Sequence, residues 1–233
     1  MISVIVPSHN EEKNIERCIN SLRSQKFDGN YEIILADGKS TDRTVEKVEH
    51  LVDRVIMVES KGPARARNEG ARIAKYPIVA FIDADSVAHE LWLSRIEKNF
   101  QEDIIGVGGI VRPLDPQPLD NFISFIDVDI WIPLCSLFGI YLFNGSSCAF
   151  LREPFLKVNG FNEKISFFED TEITFRIKKL GKLKIDKKMI AYSSVRRFRE
   201  QGYIKVGLQY FKAFWDYTTR KQVEGEYFGA IKK

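Results

Sequence analysis

The first half of the chain alternates between two hydrophobic rhythms. Ile2 to Val6 is an unbroken apolar run of strand length. Between Glu11 and Gln25 the apolar positions are Ile15, Cys18, Ile19 and Leu22, a helical period. Strand-like runs recur at Tyr31–Ala36, Arg54–Val58 and Ile78–Ile82. Helix-like segments lie between them at Ser40–Val52 and Pro63–Lys75, and His89–Phe100 follows. Ile104–Val111 reads as a glycine-rich strand. Ser8 or Asn10 is placed to cap the first helix, and Ser40 or Thr41 the second. Repeated alternation predicts a doubly wound, Rossmann-like α/β sheet with right-handed crossovers and helices on both faces. Ligands in such sheets bind beyond the C-terminal strand ends. Three loops leave those ends here, Pro7–Glu11, Asp37–Asp42 and Asp83–Ser86, and each carries acids or polar groups.

The second half changes character. Pro113, Pro116 and Pro118 interrupt regular structure, and 119–143 is apolar and aromatic. Asn144–Leu151 reads as a strand and Glu153–Val158 as a short helix. Phe168–Leu180 opens with acids and closes with Lys178, Lys179 and Gly181, as a helix dipole and stop signal require. Gln201–Arg220 is a last helix rich in aromatics, with lysines among them. Its partner is the protein's own core, a second copy of the chain in a homodimer, or a membrane surface. No repeat divides the chain, so 1–112 and 113–233 are read as two halves of one continuous domain.

At 233 residues, 44% hydrophobic and 29% charged, the chain is an ordinary globular one. A net charge of +3 is too small to argue for nucleic acid as a partner. Three scattered cysteines form no metal-ligand pair and point to a reducing compartment. With Met1 leading directly into the first strand, the expected location is the cytoplasm, with the inner face of the membrane as the alternative. The longest apolar stretch, Ile130–Phe143, is short of the roughly 20 residues of a spanning helix.

The chemistry is concentrated at the strand ends. Asp83 and Asp85 stand two apart after a buried run, so both project to one side of an extended strand end. Two such carboxylates repel each other, and a hard cation such as Mg²⁺ or Mn²⁺ relieves the repulsion. A surface turn capping the next helix is the plainer reading. His9 could pack on a nucleobase, and Asp37 could accept a base imide hydrogen. Asp42 is read as a helix-start acid. Arg67 and Asn68 could grip phosphate, against the alternative of a solvated basic helix face. Glu169 and Asp170 could complement a helix dipole, or Asp170 could serve as a general base. There is no G-x-x-x-x-G-K-[ST] loop, no G-x-G-x-x-G turn and no zinc pattern among His9, His50 and His89.

The segments "VIVPSHNEEKNIERCINSL", "ILADGKSTDRTVE", "GPARARNEGARIAKYPIVAFIDADS", "NGSSCAFLREPFLKVNGFNEKISFFEDTEITFRIKKLG" and "SSVRRF", in this order, resemble inverting glycosyltransferase family 2. The resemblance implies a Rossmann-like GT-A fold with a mostly parallel central sheet and a C-terminal acceptor-side extension. It implies a nucleoside-diphosphate sugar of UDP or GDP type as donor, and Mg²⁺ or Mn²⁺ held through Asp85 and Asp83. The acceptor is a sugar hydroxyl or a polyprenyl phosphate. Donor contacts fall at Pro7, His9, Glu11, Asp37, Arg67, Asp83 and Ala84, with Arg196 or Arg197 on the pyrophosphate. Asn144 and Gly145 fall on the acceptor side, and Asp170, beside Glu169, becomes the base. Two departures stand out. "ADGKSTD" replaces the double aspartate of many members, which puts uridine in question. A Q-x-x-R-W motif is missing, which argues against a processive synthase. A sugar-nucleotide nucleotidyltransferase and a non-catalytic nucleotide-sugar-binding module are the competing readings.

Overall fold

The computed structural model describes residues 1–59, 62–101, 103–165 and 167–220, without the side chains of Arg197 and Arg220. Four parallel strands form its first half: β1 (Ile2–Ser8), β2 (Tyr31–Asp37), β3 (Arg54–Met57) and β4 (Ile78–Phe81). The helices between them are α1 (Ile15–Arg23), α2 (Thr44–Val48) and α3 (Pro63–Ile73). Then come β5 (Ser86–Ala88), α4 (Trp92–Asn99) and β6 (Ile104–Leu114). The proline-marked region holds α5 (Pro118–Ser124), a wider π-type turn (Phe125–Trp131) and α6 (Ile132–Leu137). The chain finishes with β7 (Cys148–Leu151), α7 (Arg152–Lys157), α8 (Glu169–Ile177), β8 (Lys182–Ser194), α9 (Arg196–Gln201) and α10 (Tyr203–Arg220).

Among the described residues all eight strands join one sheet, ordered β3-β2-β1-β4-β7-β6-β8-β5. Only β7 and β5 run against the rest, so the expected mostly parallel sheet is present. Alternation along the strands fills two cores. Val4, Val6, Ile33 and Leu35 face α1 and α4, through Ile15, Ile19, Leu22, Trp92 and Ile96. Ile5, Ile34 and Ala36 face the other way, onto α3, α7 and α8, through Ala71, Phe155, Ile173 and Ile177. Burial on both faces explains why these strands read as continuous apolar runs.

The structure corrects the expected caps. The N-cap of α1 is Asn14 and that of α2 is Arg43, and neither makes a side-chain cap bond. Ser8, Asn10 and Ser40 instead tie the first two loops together. Asn10 Oδ1 accepts from the Thr41 N–H at 2.8 Å, and the Asn10 N–H donates to Ser40 Oγ at 2.9 Å. Asp42 does act at a helix start, accepting from the Thr44 N–H at 3.0 Å. Strands β5 and β8 and helix α9 were not expected, and the break at 112/113 falls inside β6. The aromatic helix α10 lies on the protein's own core along one face only: Ala213, Phe214 and Tyr217 pack with Phe167, Phe168 and Phe175.

Candidate active site

Because β2, β1 and β4 are adjacent and parallel, their three C-terminal loops open on one edge. Asp37, fully buried at the end of β2, accepts from Ser8 Oγ at 2.7 Å, Ser40 Oγ at 2.6 Å and the Ser40 N–H at 2.6 Å. The side chain is thereby fixed at the head of the first loop. His9 lies beside it, and its Nδ1 is buried without a hydrogen-bond partner. Pro7 is buried within β1. Glu11 accepts from Asn14 Nδ2 at 2.7 Å.

The centre is built around one buried cation. Arg67, on α3, is 3% exposed and donates to Asp83 Oδ1 at 2.6 Å and Glu169 Oε1 at 2.8 Å. Its charge is opposed by burial, but Asp83 and Glu169 outweigh that and hold it protonated. A solvated basic face is therefore excluded for Arg67. Its guanidinium lies 5.5 Å from the Phe161 ring centroid, while Nε is buried and unpartnered. The close approach explains Gly145: a Cβ there would come within 2.5 Å of Arg67 Nη2.

Gly145 and Ser146 couple the two carboxylate clusters. The Gly145 N–H donates to Asp170 Oδ2 at 2.8 Å, and Ser146 Oγ donates to Asp83 Oδ2 at 2.6 Å. Asn144 supports the turn by accepting from the Ser146 N–H at 2.9 Å. Burial and then the charge of Glu169 push the Asp170 carboxyl up to about 7. Phe168, just before, holds a left-handed φ of 74° to set the first turn of α8.

Asp83 has both oxygens engaged, while among the described residues the side-chain donor to Asp85 is Ser86 Oγ, at a long 3.4 Å. Burial, then Asp83 and Glu11, push the Asp85 carboxyl up to about 7. Asp85 lines a cavity of about 290 Å³ with Asn14, Arg17, Ser194, Arg196 and Arg199. Among the described residues no three His, Cys, Asp or Glu side chains form a ready metal cluster. The donor set nevertheless fits a hard divalent cation, which takes one or two carboxylates and fills its other positions with phosphate and water. Asp85 supplies such a carboxylate beside a cavity lined by Arg17, Arg196 and Arg199, with Asp115 and Glu200 among them.

The structure thus brings together Asp83, Ala84, Asp85, Glu11, Arg67, Asn144, Gly145, Glu169 and Asp170, with Arg196 across the cavity. The Arg197 side chain lies outside the described residues. Sequence reasoning missed Ser146, which sits in the same "NGSS" run as Gly145, and Arg17 and Arg199. The helical position of Arg17 one turn from Asn14 was a usable signal; the placement of Arg199 depends on β8, which was not foreseen.

A sheet carrying acids at these strand ends, with β7 running against β4 and β6, is the GT-A architecture. The chain belongs to the family described as Glycosyl transferase family 2, which matches residues 3–134. Glycosyltransferase AglE of Haloferax volcanii is 35% identical over 101 residues, 40% of this chain and 33% of that one. The amylovoran biosynthesis glycosyltransferase AmsB of Erwinia amylovora is 26% identical over 95% of this chain and 80% of its own. This chain therefore matches a third of the length of the first relative and most of the second. Among solved structures, a mannosyltransferase of Pyrobaculum calidifontis with GDP-Man and Mn²⁺ aligns with a TM-score of 0.73 at 20% identity. That alignment covers 97% of this chain and 65% of the other. Staphylococcus aureus TarS with UDP-GlcNAc aligns with a TM-score of 0.65 at 22% identity, over 84% and 58%. These likenesses establish the fold.

Proposed function

We propose that this protein is a metal-dependent inverting glycosyltransferase that moves a sugar from a nucleoside-diphosphate sugar to an acceptor. The observation that carries the reading is the Gly145–Ser146 turn, which binds Asp170 through Gly145 and Asp83 through Ser146. Donor and base would then meet at a fixed separation. The nucleoside fits the first two loops, where His9 Nδ1 lacks a partner and Asp37 is locked. The diphosphate fits the cavity shared by Asp85, Arg17 and Arg196. A divalent cation held through Asp85, with Asp83 beside it, would supply neutralisation of the departing diphosphate.

Asp170 takes the acceptor proton as the hydroxyl oxygen bonds to the anomeric carbon and the bond to the diphosphate breaks. A carboxyl near 7 suits a base working at neutral pH. Glu169 is held by Arg67 at 2.8 Å, so it is not free to act as a nucleophile, and a single displacement inverts the anomeric centre. The solved relatives with UDP-GlcNAc and with GDP-Man and Mn²⁺ support both donor types and the metal. An acceptor that is already an ionised phosphate needs no base, whereas a sugar hydroxyl does. The elevated Asp170, half-buried beside Glu169, favours the hydroxyl.

Calorimetry with UDP, GDP and their sugar conjugates, with and without Mn²⁺, tests the reading. Tight binding of one nucleotide series only with metal, lost in Asp85→Ala, is the expected result. Binding indifferent to both metal and Asp85 would leave a binding module without the chemistry. Release of pyrophosphate from a nucleoside triphosphate would favour a nucleotidyltransferase.

A further inference from the structure

Helix α10 has two apolar faces, and the protein uses one of them. Val206 and Ala213 are 1% and 2% exposed, and Ala213 packs with Phe168 and Phe175. On the outer side Ile204 is 81% exposed, Leu208 63%, Phe211 60% and Trp215 59%. Steps of four, three and four residues place these on a single stripe. A groove of about 840 Å³ separates the start of this stripe from Leu119 and Ile123 of α5. Phe122 of α5 and, after it, Ile130, Leu137 and Phe138 are exposed apolar side chains as well.

On α10 the exposed charges beside the stripe are positive, while the segment after α5 carries one exposed acid, Asp127. Lys205 and Lys212 line the groove, and among the described residues neither makes an ion pair. Asp216, the one acid of α10, is buried. We propose that this face docks onto a lipid bilayer bearing anionic headgroups, with α10 lying in the plane of the interface. Among the described residues no helix is long and apolar enough to cross a membrane, so the contact is peripheral. Trp215 and the lysine stems suit the boundary between headgroups and acyl chains.

Charge disfavours one pairing with a second copy. An antiparallel twofold pair centred between Leu208 and Gln209 would set Lys205 of each helix opposite Lys212 of the other. Like charges facing across an apolar seam oppose that pairing, whereas lipid phosphates answer both lysines. Gly202, at a φ of 85°, joins α10 to α9, whose Arg196 lines the Asp85 cavity. Docking would therefore fix the cavity close to the bilayer.

Co-flotation of the full chain with phosphatidylcholine vesicles, with and without phosphatidylglycerol, tests this. Flotation is expected with the anionic vesicles and should weaken as salt rises. Lys205→Gln with Lys212→Gln should lower the vesicle affinity roughly thirtyfold, at about a factor of five for each basic group near an anionic surface. Phe211→Ser with Trp215→Ser should abolish flotation while leaving the circular dichroism and unfolding midpoint unchanged, since both side chains are exposed. No flotation on anionic vesicles at low salt would overturn the proposal. So would flotation that neither variant changes, or a dimer in light scattering that the serine variant disperses while vesicles bind nothing.

Discussion

Asp170 and Arg67 carry opposite burdens at the same site. The Asp170 carboxyl is raised to about 7 by burial and by Glu169, so folding favours its protonated form. Its contribution to stability is complete below the unfolded value of 3.8 and is lost as pH rises through about 7. On the proposed mechanism Asp170 must be ionised, so activity should rise where this contribution to stability falls. With a hydroxyl acceptor, kcat/KM should climb along an acid limb centred near 7. Asp170→Asn should cut kcat by about 10²–10⁴, remove that limb, and gain urea stability relative to the parent as pH increases. A rate profile with the same limb in the variant would assign the titration elsewhere. Arg67→Met leaves Asp83 and Glu169 without their shared cation in a buried place. A loss of about 3–5 kcal/mol in urea unfolding is expected, and Arg67→Lys should recover little, because one ammonium cannot reproduce the two-pronged geometry. The carboxylates were legible in the sequence because acids at the end of an apolar run need a reason. The role of Arg67 as a bridge was not, because Glu169 lies 102 residues away.

Among the elements, the turn before α8 depends on a side chain from another helix. Asn68 of α3 donates to the Phe161 carbonyl at 2.9 Å and accepts from the Phe161 N–H at 2.8 Å. Asn68→Ala should destabilise by about 1–3 kcal/mol for the orphaned backbone groups, measured as a shift in the urea midpoint. Strands β1, β2 and β4 were readable because both of their faces are buried. Strand β8 was not, since the lysines of "KLKIDKK" interrupt its alternation and its pairing with β6 shifts register between Gly108 and Ile110. The loop clamps were missed for a related reason. Ser8, Asn10 and Ser40 look like helix caps one loop at a time, and only adjacency of β1 and β2 gives them partners across the gap.

At the scale of the whole molecule, the two halves share one sheet. β7 lies between β4 and β6, so the second half is inserted into the first half's hydrogen bonding. Unfolding should accordingly be a single transition, with tryptophan fluorescence and far-ultraviolet circular dichroism giving coincident urea curves. Two separated transitions would mark an independent second unit. The family and fold were readable because the motifs recur in order, even though each is short. The two-sided nature of α10 was hidden, because aromatic spacing alone does not say which face meets protein.

The Gly145–Ser146 turn has one last consequence. A single peptide link reports to Asp170, the proposed base, on one side and to Asp83, beside the proposed cation position, on the other. On the proposed mechanism, substitutions there would alter nucleotide affinity and turnover together. Paired with changes at Asp83 or Asp170 they should show strong non-additivity, and laboratory selection for a new donor would tend to drag the chemical step along with it.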